Sequence, residues 1–164
     1  MSTSVFDQRG LSVAGDLRAL MAEKVVTAGQ DAYAGVRQIW NSAVDHQPAV
    51  FALCETAEDV QAAIHIARKH DFPLSVRGGG HDWAGRALRH HGLVIDLTRM
   101  RQVDVDVSRR VATVAGGATA ADVSAAAVPH GLAAVTGNVG AVGMAAFCWR
   151  AAMTAHHQIR AGHR

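Results

Sequence analysis

The stretch Val76-Arg77-Gly78-Gly79-Gly80-His81-Asp82-Trp83-Ala84-Gly85 decides how the rest of the sequence is interpreted. Consecutive glycines can take positive φ and let a ligand approach the backbone closely, because they have no Cβ. A run of free N–H groups in such a turn forms a concavity that suits phosphate. Arg77 adds a planar, permanently charged donor, and His81 places a nucleophilic imidazole at the rim. The stretch predicts a site for a phosphate-bearing cofactor. The alternative is a tight turn with an exposed histidine.

The segments before this turn predict a βαβ unit. Residues 48–54 form an apolar run of strand length, and residues 72–76 predict a short buried strand. Between them, residues 56–70 predict a helix with Thr56 as N-cap and Asp59 at the capping-box position. Strand, helix and strand with short links are typical of a right-handed βαβ unit. The glycine turn then follows the second strand, at the carboxyl edge where such sheets bind ligands.

The outer segments predict helices and an antiparallel hairpin. Residues 1–10 are polar and expected to be disordered, and residues 11–29 predict an amphipathic helix. Downstream, residues 93–97 predict a buried strand, while 103–107 and 110–115 predict the two strands of a hairpin. Thr119 is expected to cap an alanine-rich helix that reaches residue 128. Residues 136–143 form a second glycine-spaced loop, long enough for close backbone contact with a ligand.

Composition narrows the class of protein. The 164 residues fit about one domain, and 49% apolar with only 5% aromatic residues predicts a core of small side chains. The formal net charge is +2 and the arginines are scattered, which argues against a nucleic-acid partner. Residues 1–10 lack an apolar signal core and no stretch is long enough to cross a bilayer, so we expect a cytoplasmic protein without membrane contact.

Titratable residues outside the turn give weaker signals. Cys54 and Cys148 form no CxxC pair, and the remaining histidines lack metal-ligand spacing, so no metal is expected. His65 lies within the predicted helix and is interpreted as packed or solvated. Asp82 or Asp96 could act as an acid or base, but a turn or cap role is favoured. The G-x-G-x-x-G order of a Rossmann fold does not occur at the glycine turn.

Taken in order, these motifs resemble the FAD-binding domain of the vanillyl-alcohol-oxidase (PCMH-type) superfamily, in the branch of berberine bridge enzyme and its bacterial oxidase relatives. The resemblance covers residues 11–146 in consistent order and spacing. It is carried by Tyr33, Arg37, Trp40, Asn41, Asp45, residues 48–54, 56–60 and 77–81, Gly85, residues 94–97, 116–118 and 130–133, Gly137, Gly140 and Gly143.

The resemblance implies an α+β fold, an FAD cofactor and a covalent bond from His81 to the 8α carbon of the flavin ring. It implies two small α/β subdomains, about 11–98 (the βαβ unit) and about 99–146 (a mainly antiparallel sheet with helices). Some relatives have a second flavin linkage through a cysteine, but Val139 stands at that position. The cofactor-binding residues that it implies are Arg77, Gly78, Gly79, Gly80, His81, Asp82, Gly85, Leu97, Gly116, Gly117, Ala118, Gly137, Asn138, Val139, Gly140, Val142 and Gly143.

The resemblance also implies an oxidase that acts on an alcohol, a sugar or a similar small molecule and passes electrons to dioxygen. Residues 147–164 depart from the family pattern, where another glycine-rich segment and a substrate domain are expected. With suitable codons, a shifted reading frame would restore part of that pattern, so a frameshift is one hypothesis for this tail. The catalytic residues are expected in the missing C-terminal part. The alternative is a truncated, catalytically inactive flavin-binding fragment, and the sequence does not indicate an oligomeric state.

Overall fold

A four-stranded sheet organises the first part of the chain and a hairpin with a helix the second. The computed structural model describes residues 5–145 and 162–163. Short 3₁₀ turns follow α1 and α4, at Ala22–Lys24 and Val128–His130. The helices and strands are α1 (Val5–Met21), β1 (Val25–Thr27), α2 (Ala32–Arg37), β2 (Val50–Leu53), α3 (Ala57–Lys69), β3 (Leu74–Arg77), β4 (Leu93–Asp96), β5 (Val103–Asp106), β6 (Val111–Val114), α4 (Ala120–Ala127), β7 (Leu132–Ala133) and β8 (Gly162–His163).

The strand order in the first sheet is β1-β2-β4-β3. β1 is antiparallel to β2, whereas β2, β4 and β3 run parallel. The predicted β2-α3-β3 unit is present, but β4 lies between its two strands. Because β2 and β4 are buried along their whole length, both faces of the sheet centre are covered, as parallel strands require.

Two apolar clusters cover the two faces of this sheet. On one face, α1 and α3 pack on the strands through residues that include Leu17, Ile66 and Ile95. On the other, Phe51 and Val94 pack with Leu88 and with partly buried residues of the α2 region. The pattern is a sheet between two layers, which is the α+β arrangement that the sequence predicted.

The second part of the chain contains antiparallel strand pairs and α4. β5 pairs with β6 in the predicted hairpin, and β7 pairs with β8. Val123 and Ala120 of α4 pack with Met144, and Val103 and Val114 of the hairpin lie against them. Within residues 5–145, no helix is both long and apolar enough to cross a membrane.

The structure corrects three sequence predictions. Residues 5–10 form the first turns of α1, so the predicted disorder of 1–10 is wrong for them, and the helix ends at Met21 rather than at residue 29. β3 is an edge strand with exposed Leu74 and Val76, not a buried strand, because only β4 pairs with it. The tail predictions, including the frameshift hypothesis, fall outside the described residues except at 162–163.

A capping box starts α3 as predicted. Thr56 Oγ1 accepts the Asp59 N–H at 3.2 Å, and Asp59 Oδ2 accepts the Thr56 N–H at 3.2 Å. The same carboxylate oxygen accepts a bond from Lys24 Nζ at 2.9 Å, which ties the start of α3 to the segment before β1. The box therefore fixes both the helix start and its position against the sheet.

We expect Thr56→Ala to lower the free energy of unfolding by about 1 kcal/mol, because the Asp59 N–H loses its acceptor. Thr56→Ser is the matched control, since its hydroxyl caps equally well, and it should unfold like the parent chain. Urea unfolding followed by circular dichroism measures both values. Equal stability of the alanine and serine variants would contradict the capping role.

Three histidines surround the loop that leads from the glycine turn to β4. His46 Nδ1 lies 2.9 Å from the carbonyl oxygen of Leu88, so this nitrogen carries its proton. The Gln47 N–H donates to His90 Nδ1 at 2.9 Å. The ring centroids of His90 and His91 are 3.9 Å apart, and those of His46 and His90 are 6.1 Å apart. A proton on His90 Nδ1 would therefore remove the acceptor for the Gln47 N–H, and a charged His90 would be repelled by any charge on His46 or His91.

Partial desolvation, and then the charges of His91 and His46, lower the pKa of His90 against the opposite effect of Asp45. The folded chain binds this proton less readily than the unfolded chain does. The stability linked to His90 is therefore complete above the unfolded pKa of about 6.5 and falls as the pH drops through that value toward the lower folded pKa.

We expect His90→Asn to reduce the loss of stability between pH 7.5 and 5.5, because asparagine keeps an acceptor for the Gln47 N–H but cannot be protonated. Urea unfolding at a series of pH values (roughly 5.5 to 7.5, chosen around the ordinary histidine pKa) measures the slope. His65→Asn, on an exposed position of α3, is the control and should keep the parent slope. A slope unchanged by His90→Asn would rule out this source of acid sensitivity.

Candidate functional site

The glycine turn leaves the carboxyl end of β3 with its backbone donors unused. The N–H groups of Gly78, Gly79, Gly80 and His81 donate to no acceptor among residues 5–145. Gly80 has a φ of +69°, in the left-handed region that favours glycine. Successive free N–H groups around such a residue form a concave, electropositive surface. The turn therefore has the free donors and the backbone shape that an anion site requires, and anion binding there stays a prediction.

The glycine turn contacts the second glycine loop backbone to backbone. A Cβ on Gly79 would overlap the amide nitrogen of Gly143 and would lie 2.8 Å from the carbonyl oxygen of Ala141. A Cβ on Gly78 would lie 3.2 Å from the carbonyl oxygen of Gly116. The glycines at 79 and 143 are therefore required by the contact between the two loops, in addition to any contact with a ligand.

Neighbouring glycines fix the second part of the chain against β4. A Cβ on Gly117 would overlap the carbonyl oxygen of Leu97, and a Cβ on Gly116 would lie 2.9 Å from Leu97 Cδ1. The Leu97 N–H in turn donates to the Arg77 carbonyl oxygen at 2.9 Å. Leu97 thus lies between the glycine turn and residues 116–117, and all three predicted segments meet at the ends of β3 and β4.

The second glycine loop is attached to the start of α4. The N–H groups of Ala120 and Ala121 donate to the carbonyl oxygens of Val142 and Gly140, at 3.0 and 2.9 Å. The loop thus satisfies donors that a helix N-terminus leaves free. On its other side, the Met144 N–H donates to the buried Ala118 at 2.9 Å. Gly137, Asn138 and Val139 are exposed at the outer end of this loop.

A second capping box stabilises the same helix start. Thr119 Oγ1 and Asp122 exchange bonds, and Arg101 donates to the Asp122 carboxylate at 2.6 and 3.0 Å. The hydrogen bonds from Arg101, and then those from Thr119, lower the pKa of Asp122 to about 2, although partial desolvation acts in the opposite direction. The carboxylate is therefore a structural group that stays ionised at neutral pH.

Arg77 packs its guanidinium against Gly80 of the turn, where Nε lies 3.4 Å from the position that a Cβ would take, and its role as a cofactor ligand stays a prediction. Its Nη1 donates to the carbonyl oxygen of Val36, its Nη2 donates to that of Gln38 at 2.8 Å, and its Nη1 lies 3.4 Å from Asp96 Oδ2. The Arg77 Nε is buried and has no partner in the described part of the chain. Arg77 therefore connects the C-terminal end of α2 to the sheet.

His81 lies at the end of the row of free N–H groups, and its ring is half-buried. Neither ring nitrogen has a hydrogen-bond partner within residues 5–145. The ring stacks on Trp40 with a centroid distance of 5.7 Å and an interplanar angle of 21°. The Trp40 N–H donates to the Gly80 carbonyl oxygen at 3.1 Å. Trp40 belongs to the family pattern in the sequence, but no role in the site was predicted for it.

The other titratable groups near the turn are engaged. Asp82 binds Arg86, whose hydrogen bonds lower the pKa of the Asp82 carboxyl although partial burial opposes this. Asp96 accepts bonds from the N–H and hydroxyl of Thr98 at 2.8 and 2.6 Å. Burial raises the pKa of the Cys54 thiol to about 12. Across residues 5–145, no three His, Cys, Asp or Glu side chains form a group that could hold a metal.

Gly85 ends the glycine turn under the segment that follows Trp40. Its φ is +69°, and a Cβ there would lie 2.9 Å from Val44 Cγ2. The side-chain amide of Asn41 donates to the Trp83 carbonyl oxygen at 2.7 Å. The segment from Trp40 to Val44 therefore covers one side of the turn along its length.

The chain is similar to known FAD-binding proteins. Residues 48–160 match a family described as an FAD binding domain. The FAD-linked oxidoreductase hasG of Aspergillus fumigatus is 37% identical over 128 residues, which are 78% of this chain and 27% of that protein. The (R)-6-hydroxynicotine oxidase of Paenarthrobacter nicotinovorans is 32% identical over 125 residues, which are 74% of this chain and 27% of that protein.

Solved structures give the same result for the fold. The crystal structure of 6-hydroxy-D-nicotine oxidase from Arthrobacter nicotinovorans aligns with a TM-score of 0.70 and 32% identity, over 73% of this chain and 26% of that one. The grass pollen allergen Phl p 4, described as having glucose dehydrogenase activity, aligns with a TM-score of 0.73 and 28% identity, over 80% of this chain and 29% of that one.

This chain spans less than a third of the length of each of these relatives. A Physcomitrella patens protein described as BBE-like 1 aligns with a TM-score of 0.73 and 25% identity, over 79% of this chain and 29% of that one. The predicted FAD cofactor and PCMH-type α+β fold are confirmed by these matches. The chain therefore belongs to the FAD-binding domain family of the berberine-bridge-enzyme-like FAD-linked oxidoreductases.

Proposed function

We propose that this chain holds FAD through a covalent bond to His81 and forms the FAD-binding part of an oxidase that acts on an alcohol, a sugar or a similar small molecule. The observation that carries the proposal is the His81 imidazole, which has no hydrogen-bond partner within residues 5–145 and lies at the end of a row of four backbone N–H groups that also have none there. A pyrophosphate on those donors would bring the rest of the same ligand within reach of the ring.

The residues present fit the pyrophosphate of FAD. Gly78, Gly79 and Gly80 offer donors without a side chain that would block approach, and Gly80 supplies the left-handed backbone that makes the surface concave. Arg77 is paired with Asp96, so it adds little net charge behind the turn. The affinity for the diphosphate therefore rests on peptide dipoles, which bind at close range and impose an orientation.

His81 fits the role of the attachment point because its ring is placed but not hydrogen-bonded. A histidine that donated one nitrogen to a carbonyl would have its tautomer and orientation already committed. Here neither nitrogen is committed within residues 5–145, so the neutral ring can offer a lone pair to carbon. When bound, FAD supplies two-electron redox chemistry, and the protein supplies binding and orientation.

The proposed substrate class and acceptor follow from the relatives. Two of them are named for 6-hydroxynicotine and for glucose, which supports a small molecule with an oxidisable carbon next to nitrogen or oxygen. The names that contain oxidase support dioxygen as the electron acceptor. The identity of the substrate depends on side chains that contact it. Asp82 and Asp96 do not identify it, because Asp82 is bonded to Arg86 and Asp96 to Thr98.

A second candidate is an FAD-binding chain that does not itself oxidise a substrate. The engagement of Asp82 with Arg86 and of Asp96 with Thr98 favours it, because neither carboxylate is free to accept a proton from a substrate. Both candidates share the FAD site, and oxygen consumption with a panel of alcohols, sugars and amines distinguishes them.

We expect purified chain incubated with FAD to keep yellow, fluorescent flavin after acid precipitation, and His81→Ala to lose all of it. The reason is that only a covalent bond survives unfolding, and alanine has no nucleophile. Flavin fluorescence of the washed precipitate measures the bound fraction. His65→Ala is the control, because His65 is exposed on α3, and it should retain flavin like the parent. Acid-stable flavin in His81→Ala would exclude His81 as the attachment point.

We expect Gly79→Ala to weaken FAD binding and to lower the free energy of unfolding by about 1–3 kcal/mol, the usual cost of overpacking. The new methyl group meets Gly143 and Ala141 and forces the two loops apart. Gly15→Ala is the control, because no atom lies within 4 Å of a Cβ there. Urea unfolding and FAD titration measure the two effects. Normal affinity and stability in Gly79→Ala would show that the loop contact is dispensable.

A further inference from the structure

We propose that Trp40 is a positioning residue that holds the His81 imidazole in the orientation needed for its attachment to the flavin. This inference rests on the proposed function. Trp40 lies in the segment after α2, outside the glycine turn, and it contacts His81 through a stack of the indole ring on the imidazole ring.

The geometry of the ring pair is that of an offset stack. The 5.7 Å centroid distance and the 21° interplanar angle lie within the usual range for stacked rings. In this arrangement the indole covers one face of the imidazole and leaves the ring edge free. Because both nitrogens lie on that edge, the stack restricts tilting of the ring without blocking the attacking atom.

Trp40 is held against the turn at two levels. Its backbone N–H donates to the carbonyl oxygen of Gly80, the residue directly before His81, at 3.1 Å. The segment before it is held by Arg77, which donates to the carbonyl oxygens of Val36 and Gln38. Arg77 also begins the glycine turn, so both rings of the stack are attached to the same short piece of backbone.

The exposure of Trp40 points to the same role. Its side chain is 65% exposed, so burial in the core does not explain its position. No hydrogen bond fixes the His81 ring within residues 5–145, and the stack is the contact that orders it. An ordered nucleophile reacts faster than a freely rotating one, because the orientation is prepaid in the folded chain.

Attachment of His81 to FAD would exchange bonds on both partners. A bond forms between an imidazole nitrogen of His81 and the 8α carbon, and one N–H and one C–H bond are broken. Two electrons and two protons are thereby transferred to the flavin. Dioxygen, the acceptor named in the proposed function, then takes them up as hydrogen peroxide. Trp40 takes no part in the bond changes, so its removal should affect the rate of attachment and not its end point.

The test compares Trp40→Leu, Trp40→Phe and Trp83→Leu with the parent chain at saturating FAD. Acid-stable flavin fluorescence is measured over time. We expect Trp40→Leu to attach flavin at least about tenfold more slowly, and Trp40→Phe to stay near the parent rate because it can still stack. Trp83→Leu is the matched control: Trp83 is also exposed in this region, its ring makes no aromatic contact within residues 5–145, and it should attach at the parent rate.

Two further measurements separate positioning from a general loss of structure. FAD affinity is measured in the His81→Ala background, where no bond forms, and Trp40→Leu should change it less than about twofold, far below the loss in attachment rate. NMR spectra are also recorded without FAD. In the parent and in Trp83→Leu, the indole ring of Trp40 should shift the His81 ring protons upfield, and in Trp40→Leu this shift should be lost.

The outcomes are distinct. Attachment at the parent rate in Trp40→Leu, or a loss of FAD affinity as large as the loss of rate, would overturn the role of Trp40 while leaving the His81 bond intact. His81 ring protons that do not shift in Trp40→Leu would also overturn it. If the parent chain itself forms no acid-stable flavin, the covalent proposal fails, and the role of Trp40 in attachment fails with it.

Discussion

The contact between Gly79 and Gly143 is the constraint on which the site depends. Their backbones approach so closely that a Cβ on either residue would overlap the other chain segment. One glycine belongs to the turn after β3 and the other to the loop on α4, so this contact joins the sheet to the second part of the chain. An anion site that uses peptide N–H groups needs such a fixed backbone, because it has no long side chain that could adjust its position.

Buried charge supports the same backbone. Asp96 is 2% exposed and has Arg77 as its cationic neighbour, and removing either charge from such a pair leaves the other uncompensated. The guanidinium also donates to two carbonyl groups at the C-terminal end of α2, so it fixes the segment that carries Trp40. Arg77, which was predicted to bind the cofactor, thus orders the residues around the turn.

Local sequence signals predicted what local interactions determine. The capping box of Thr56 and Asp59 depends on residues three positions apart, and the hairpin of β5 and β6 depends on alternation and a short turn, so both were predicted with the right partners. The exposure of β3 could not be predicted this way. A short run such as residues 72–76 has the same composition in an edge strand as in a central one, and only the insertion of β4 beside β2 decides between them. The stack of Trp40 on His81 joins distant positions and leaves no local periodic signal.

The charged groups around the turn limit which of them could accept a proton from a substrate. An oxidation that removes a hydride from a carbon bearing a hydroxyl group also needs a group that accepts the hydroxyl proton. Asp82 binds Arg86, and Asp96 binds Thr98 and lies beside Arg77. Both carboxylates therefore stabilise the local structure around the turn. Within residues 5–145 the imidazole of His81 has no hydrogen-bond partner, but the proposed bond to the flavin would leave only one of its nitrogens for proton transfer. Neither Asp82 nor Asp96 is therefore free to accept the hydroxyl proton of a substrate.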